Sequence, residues 1–358
     1  FEGTLLSTFA ECYLKMHPMI CIHGILFTID GIVSDESGIK NDIYSMVRPY
    51  VTSGLARKVE QLLQTIKLEA YSEPLPLQTD RIHVANGTLF LNGKFSEQKD
   101  FCLNRLPVIY DPDVEKPARW LKFMEELLNP DDILTLQEYM GYMLLPTTKA
   151  QKMMLIIGKG GEGKSRIGRV LRELFGNNMY SCSLQKIEVD KFARANLEYM
   201  LITVDDDMKL EALPQTNHIK SIVTLEDQID LERKGQQSFQ GVVYARLIAF
   251  GNGGLHALYD KTDGFYRRQL ILTTKDKVDG REDDPYFIDK LRKERDGIFL
   301  WALEGLQRLV SNNYVFTESV DAKQNLVDAQ EEGNNILAFM KSEGYLQFEI
   351  VLRLIVKI

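Results

Sequence analysis

Cysteine is scarce in this chain. Its four copies, Cys12, Cys21, Cys102 and Cys182, stand far apart without ligand spacing, which argues against a zinc ribbon and points to a reducing compartment. The five histidines are scattered as well. Long apolar runs are missing. The longest near the start, Met19 to Ile29, is broken by His23 and is too short to span a membrane. The first residues carry no basic-then-apolar signal pattern. There is no surplus of positive charge either. Lys and Arg number 43 against 51 Asp and Glu, a net charge of -8, so any nucleic-acid site must be a local patch. A cytoplasmic protein with no membrane partner is expected.

What is present is ordinary globular material. Of 358 residues, 44% are hydrophobic and 26% charged, enough to bury a sizeable core in two or three domains. The chain opens at Phe1 and stops inside the apolar run Ile350 to Ile358, so it reads as a piece of something longer.

The most informative stretch is residues 152 to 176. An apolar run, Met153 to Ile157, has the length of a buried strand. Gly158, Lys159, Gly160, Gly161, Glu162, Gly163, Lys164 and Ser165 then fit G-x-x-x-x-G-K-[ST], and Arg166 follows. Ile167, Val170, Leu171, Leu174 and Phe175 recur at helical spacing. Strand, glycine loop and helix together predict a phosphate-binding P-loop. The glycines let backbone N–H groups turn toward phosphates at the positive end of the new helix. Lys164 would reach the β- and γ-phosphates of a nucleoside triphosphate, and the Ser165 hydroxyl would hold Mg²⁺.

Before that stretch, residues 19 to 34 read as a short hairpin. Residues 41 to 69 read as two helices broken between Pro49 and Gly54. Residues 81 to 95 carry two Asn-Gly pairs among alternating apolar residues, a strong hairpin signal. Helices are expected near 118 to 128 and 131 to 145, with Asp131 as N-cap and Trp120, Phe123 and Leu127 on one face. No catalytic constellation stands out among residues 1 to 149, which read as a structural and docking module.

After the P-loop, the apolar run 200 to 204 ends in Asp205, Asp206 and Asp207. Acids at the end of a buried strand suit Mg²⁺ binding and activation of water. Asp205 and Asp206 are the first choice, with Asp207 in reserve, because one slip of register exchanges the facing side chains. A third run, 242 to 250, ends at Gly251-Asn252, where an amide could sense the γ-phosphate. Between these runs, Arg233-Lys234-Gly235 reads as the basic tip of a hairpin, with Phe239 as its aromatic, suited to DNA phosphates and bases. Arg267 and Arg268 precede a fourth strand. From Leu231 to Lys277, eight basic side chains (Arg233, Lys234, Arg246, Lys261, Arg267, Arg268, Lys275, Lys277) face four acids.

In order and spacing, residues 153 to 275 resemble the superfamily 3 helicases. NGTLFL, RLPVIYDP, Pro117, Trp120, Phe123 and LQEYMGYMLL before the P-loop resemble the poxvirus-type and phage- or plasmid-encoded primase-helicases. The resemblance implies an α/β AAA+ type P-loop ATPase domain with a parallel, doubly wound sheet, after an α-rich N-terminal domain with small β-hairpins. It implies Lys164 and Ser165 as Walker A, Asp205-Asp206 as Walker B, Asn252 as sensor 1 and Lys234 at the hairpin tip. Arg268 or Arg267 would be an arginine finger reaching a neighbouring subunit, with Arg268 preferred. It also implies a homo-hexameric ring moving 3′-to-5′ on single-stranded or forked DNA, with a primase domain upstream in many relatives. The sequence departs from the family in its three Asp, where many relatives have a lone Glu, and in Gly253-Gly254, where many have a proline-containing turn.

Residues 286 to 310 read as two helices and 317 to 341 as another helical stretch. The tail after Tyr345 reads as the start of a winged-helix-like domain. The expected plan is residues 1–149, 150–310 and 311–358. Two other functions fit a P-loop: a replication initiator or clamp that binds DNA under ATP control without unwinding it, and a small-molecule kinase.

Overall fold

The computed structural model describes residues 2–209, 213–224, 228–235, 237–257, 263–277 and 284–332. Lys261 and the expected winged-helix start lie outside them. Two compact units divide at Pro112 and Asp113, and Leu174–Asn178 pack with the first. Residues 113–149, grouped above with the N-terminal part, thus pack within the second unit.

The first unit combines helices Glu2–Met16, Ser37–Val47 and Leu55–Glu69 with two small antiparallel sheets. Val59, Leu62, Leu63 and Ile66 repeat on one face of the third helix and are buried with Ala10, Tyr13 and Ile43. The hairpin expected at 19 to 34 is a three-stranded meander, Met19–Ile22, Ile25–Thr28 and Gly31–Ile32. The Asn-Gly pairs yield a second, Arg81–Val84, Gly87–Phe90 and Phe95–Ser96. Arg105, which is buried, donates to the carbonyls of Ile29, Val84, Gly87 and Asp100 at 2.8 to 3.0 Å. One guanidinium thus satisfies backbone acceptors in the second sheet, in the turn before Gly31 and at Asp100.

In the second unit, helices Ala118–Leu127 and Pro130–Tyr142 precede strand Met153–Ile157. Asn129, not Asp131, is the N-cap of the latter, because Pro130 occupies its first turn. This helix crosses Arg295–Ser311 at very short range. A Cβ on Gly141 would stand 2.3 Å from Leu306 N, and one on Gly305 would stand 2.2 Å from the Gln137 carbonyl oxygen. Buried Glu138 fixes the crossing by accepting from Arg308 Nε at 2.6 Å and from Thr317 N at 2.7 Å.

The core of this unit is a five-stranded sheet with every neighbouring pair parallel. Across it run Gln269–Thr273, Met153–Ile157, Arg246–Gly251, Ile202–Met208 and Met179–Ser181. The α/β class and parallel sheet expected from sequence are therefore present. The apolar runs are continuous because strands of a covered parallel sheet are buried on both faces. Only the three-residue edge strand Met179–Ser181 was not legible. All strands point one way, so the loops after Ile157, Met208 and Gly251 emerge at a single edge. Strand Arg246–Gly251 lies between strands Met153–Ile157 and Ile202–Met208, which brings Asn252 between Gly160 and the acids.

Candidate active site

The glycine loop has the geometry its sequence requires. Gly160, Gly161 and Gly163 have φ of 108°, 86° and 110°, in the region open to glycine. The next helix, Lys164–Phe175, begins at Lys164. Lys164 is buried, and its Nζ lies 2.9 Å from Glu162 Oε2. Glu162 Oε1 accepts from the Gly160 N–H at 2.6 Å. Burial pushes the Glu162 carboxyl pKa up, but the bonds from Lys164 and the loop N–H outweigh it and hold it below the usual glutamate value. Its carboxylate thus occupies two donors of the glycine loop.

A cavity of about 540 Å³ opens over the loop, within the range of small-ligand sites. Lys164, Ser165, Arg166, Asp206, Asp207 and Asn252 all line it. A Cβ on Gly160 would lie 4.0 Å from Asn252 Oδ1. On the following helix, Gly168 leaves room for a carboxylate, since its Cβ would lie 3.3 Å from Asp206 Oδ1.

Asp205 is elsewhere. It is buried, and its Oδ2 accepts from the Leu184 N–H at 2.9 Å. Burial raises its pKa above 3.8, with smaller contributions from Asp207 and Asp206. Simple alternation would send Asp206 and Asp207 to opposite faces. Asp205 pairs with Ala249 and Met208 with Gly251, so the acid strand carries one extra residue between those pairs. That bulge aims both later acids at the cavity.

Sequence reasoning missed part of the lining. Arg169 lies on helix Lys164–Phe175, and Asp284, Pro285, Phe287 and Ile288 arrive from a polar loop and the start of a distant helix. Arg166 Cζ stands 4.8 Å from the Phe287 ring centroid, and Phe287 meets Phe123 edge-on at 5.4 Å. The Pro285-Tyr286-Phe287 run was the available signal. An aromatic ring in the wall of such a cavity can take a flat ring of a ligand.

The basic residues proposed for partners have separate fates. Arg268 donates to the Gly264 carbonyl oxygen of its own chain, whereas Arg267 is exposed. Both precede strand Gln269–Thr273, and the Arg268 carbonyl accepts from the Met153 N–H at the start of strand Met153–Ile157. They are thus at the sheet edge opposite their own cavity, about 15 Å away along the strand. Arg233 is turned inward, ion-paired with buried Glu198 and stacked over the Phe239 ring at 4.7 Å. These two residues therefore brace strands Ile229–Leu231 and Phe239–Gly241 and leave Lys234 exposed beyond them. Arg246 is also no surface charge. It is buried over the Tyr142 ring at 4.9 Å, and burial lowers its pKa.

Among the described residues, no group of three or more His, Cys, Asp and Glu is placed to hold a metal ion. Among the same residues, no helix is long and apolar enough to cross a membrane.

Residues 156–268 match a family described as one of unknown function, DUF5906. That span holds the glycine loop, the three acids, the hairpin and Arg267–Arg268. The fold is similar to the apo structure of the NrS-1 C-terminal region, with TM-score 0.59, 12% identity, and coverage of 89% of this chain and 74% of that one. It is likewise similar to an A-form apo structure of that region, with TM-score 0.57, 11% identity, and coverage of 89% and 73%.

Proposed function

We propose that this chain is an ATP-hydrolysing DNA translocase, a superfamily 3 helicase with an AAA+ type P-loop domain. It acts in the replication of a phage, plasmid or other mobile element. The observation that carries the reading is the convergence of Lys164, Ser165, Asp206, Asp207 and Asn252 on one cavity at one sheet edge.

In this reading the N–H groups of Gly160, Gly161 and Gly163 and the Lys164 ammonium grip the phosphates of ATP. The loop already binds a carboxylate in that position, which supports an anion-binding role. Ser165 and Asp206 would hold Mg²⁺, which neutralises phosphate charge when bound; two protein ligands suffice for an ion that keeps waters and substrate oxygens. Asp207 accepts the proton of the attacking water, and Asn252 orients that water. Phe287 offers its ring to the base.

Arg267 lies too far from its own cavity to act there, so it serves the site of a neighbouring copy. Catalysis then needs a ring, taken as a homo-hexamer, with Lys234 of each subunit tracking single-stranded or forked DNA. A primase domain or protein would act beside it.

The test is ATP turnover with and without single-stranded DNA, together with strand displacement on a fork. Turnover stimulated by DNA and ATP-dependent displacement are expected. ATP-controlled DNA binding without displacement would favour an initiator or clamp. DNA-independent turnover by a monomer at every concentration would favour a small-molecule kinase.

A further inference from the structure

Two donors that a phosphate-binding loop presents to its ligand are taken up here by a side chain of the loop itself. Glu162 Oε1 accepts from the Gly160 N–H at 2.6 Å, and Oε2 lies 2.9 Å from Lys164 Nζ. Both side chains are almost fully shielded, with 4% and 8% of their surface exposed. A carboxylate in such a place is costly unless its oxygens are bonded, and both are. Bridging a backbone N–H and an ammonium with two oxygens, it has the charge and the span of one edge of a phosphate group.

We propose that Glu162 is a tethered competitor for the phosphate position and that it sets the ligand class of the cleft. Nucleoside triphosphates and other polyphosphates are admitted, and single phosphates are turned away. This rests on the nucleotide reading of the cavity. Lys164 and the Gly160 N–H cannot serve Glu162 and a phosphate oxygen together, so the ligand binds only the fraction of molecules in which Glu162 has swung out. Orthophosphate would replace those two bonds and gain little else, beside a displaced carboxylate that repels it. A polyphosphate also reaches the Gly163 N–H and the Ser165 hydroxyl beyond the two donors that Glu162 occupies, and a nucleotide adds a base beside Phe287. Apparent affinity falls by the fraction of open loops, and a charge-assisted pair of this kind corresponds to a penalty of about tenfold.

The experiment is calorimetric titration of the full chain with a non-hydrolysable ATP analogue plus Mg²⁺, and separately with orthophosphate. Wild type, Glu162→Gln, Glu162→Ala and Lys164→Ala are compared. Both Glu162 variants should bind the analogue about tenfold more tightly and should gain orthophosphate binding that the wild type lacks. Analogue affinity in both that is unchanged or weaker overturns the competitor. Orthophosphate binding to the wild type does the same. If Lys164→Ala then still loses the analogue, the nucleotide reading stands without it. Analogue binding by Lys164→Ala at the wild-type level removes the nucleotide reading and the competitor together.

Discussion

Arg267 and Arg268 are adjacent in sequence but face different surroundings, for Arg268 donates to the Gly264 carbonyl within its own chain while Arg267 is exposed. Of the two arginines expected to offer a finger, the proposed reading therefore assigns that role to Arg267. Arg267→Ala should keep analogue binding and lose turnover by about 10³-fold or more. Arg268→Ala should chiefly lower the melting temperature. Steady-state turnover and thermal melts of both variants check this. Turnover of Arg267→Ala within a few-fold of wild type would return that residue to ordinary surface charge.

Asp205 and Asp206 should separate in the same manner. Asp205→Asn keeps an oxygen for the Leu184 N–H and removes a buried charge. Because burial raises the Asp205 pKa above 3.8, the native state holds this proton more tightly than the unfolded chain. Ionising Asp205 therefore costs stability as pH rises from its unfolded value through its folded one. At pH 7.5, Asp205→Asn should melt at or above the wild-type temperature and keep its turnover. Asp206→Asn should lose turnover by about 10²-fold or more. Equal turnover in the two variants would contradict the bulge-based assignment.

For the hairpin, stability and DNA affinity should come apart. Arg233→Ala leaves the Glu198 carboxylate buried without its ion pair, at a cost of about 3 kcal/mol of folding stability. Lys234→Ala should leave the melt unchanged, weaken single-strand binding and lower the salt slope by about one. Salt-dependent titrations decide; an unchanged slope removes Lys234 from the DNA surface.

In the first unit His83 is a pH probe. Burial first, then the charges of Arg105 and Arg81, lower its pKa from 6.5 to about 4. Its ring nitrogens lie 3.0 Å from Thr88 Oγ1 and 2.5 Å from Gln78 Oε1. The unfolded chain takes up this proton first, so stability is full above pH 6.5 and falls as pH drops toward 4. The loss is at most about 3 kcal/mol. Melts from pH 7 to pH 4.5 should show that fall, and His83→Gln should flatten part of it.

Much of the fold was legible because the signals were local. Met153 to Ile157 and the spacing of Ile167, Val170, Leu171 and Leu174 announce a strand, a loop and a helix without help from elsewhere. What failed depended on residues distant in sequence. The bulge opposite Phe250 reverses the expected orientation of the acids, and nothing in the composition of Asp205-Asp206-Asp207 shows it. Arg233 and Arg246 read as surface charge until Glu198 and Tyr142 are placed beside them. Helices Ala118–Leu127 and Pro130–Tyr142 read as N-terminal by position, yet Gly141 packs on the Leu306 backbone and Gly305 on that of Gln137, more than half the second unit away in sequence. The cavity wall at Asp284 to Ile288 looked like a polar loop because only folding carries it to the glycine loop.

The most direct measurement is ATP turnover, in the presence of Mg²⁺ and single-stranded DNA, by wild type and Lys164→Ala at equal concentration. With Lys164 at the phosphates, the wild type turns over ATP and the variant falls to background. Equal turnover, or none in a wild type that binds DNA, would contradict the account.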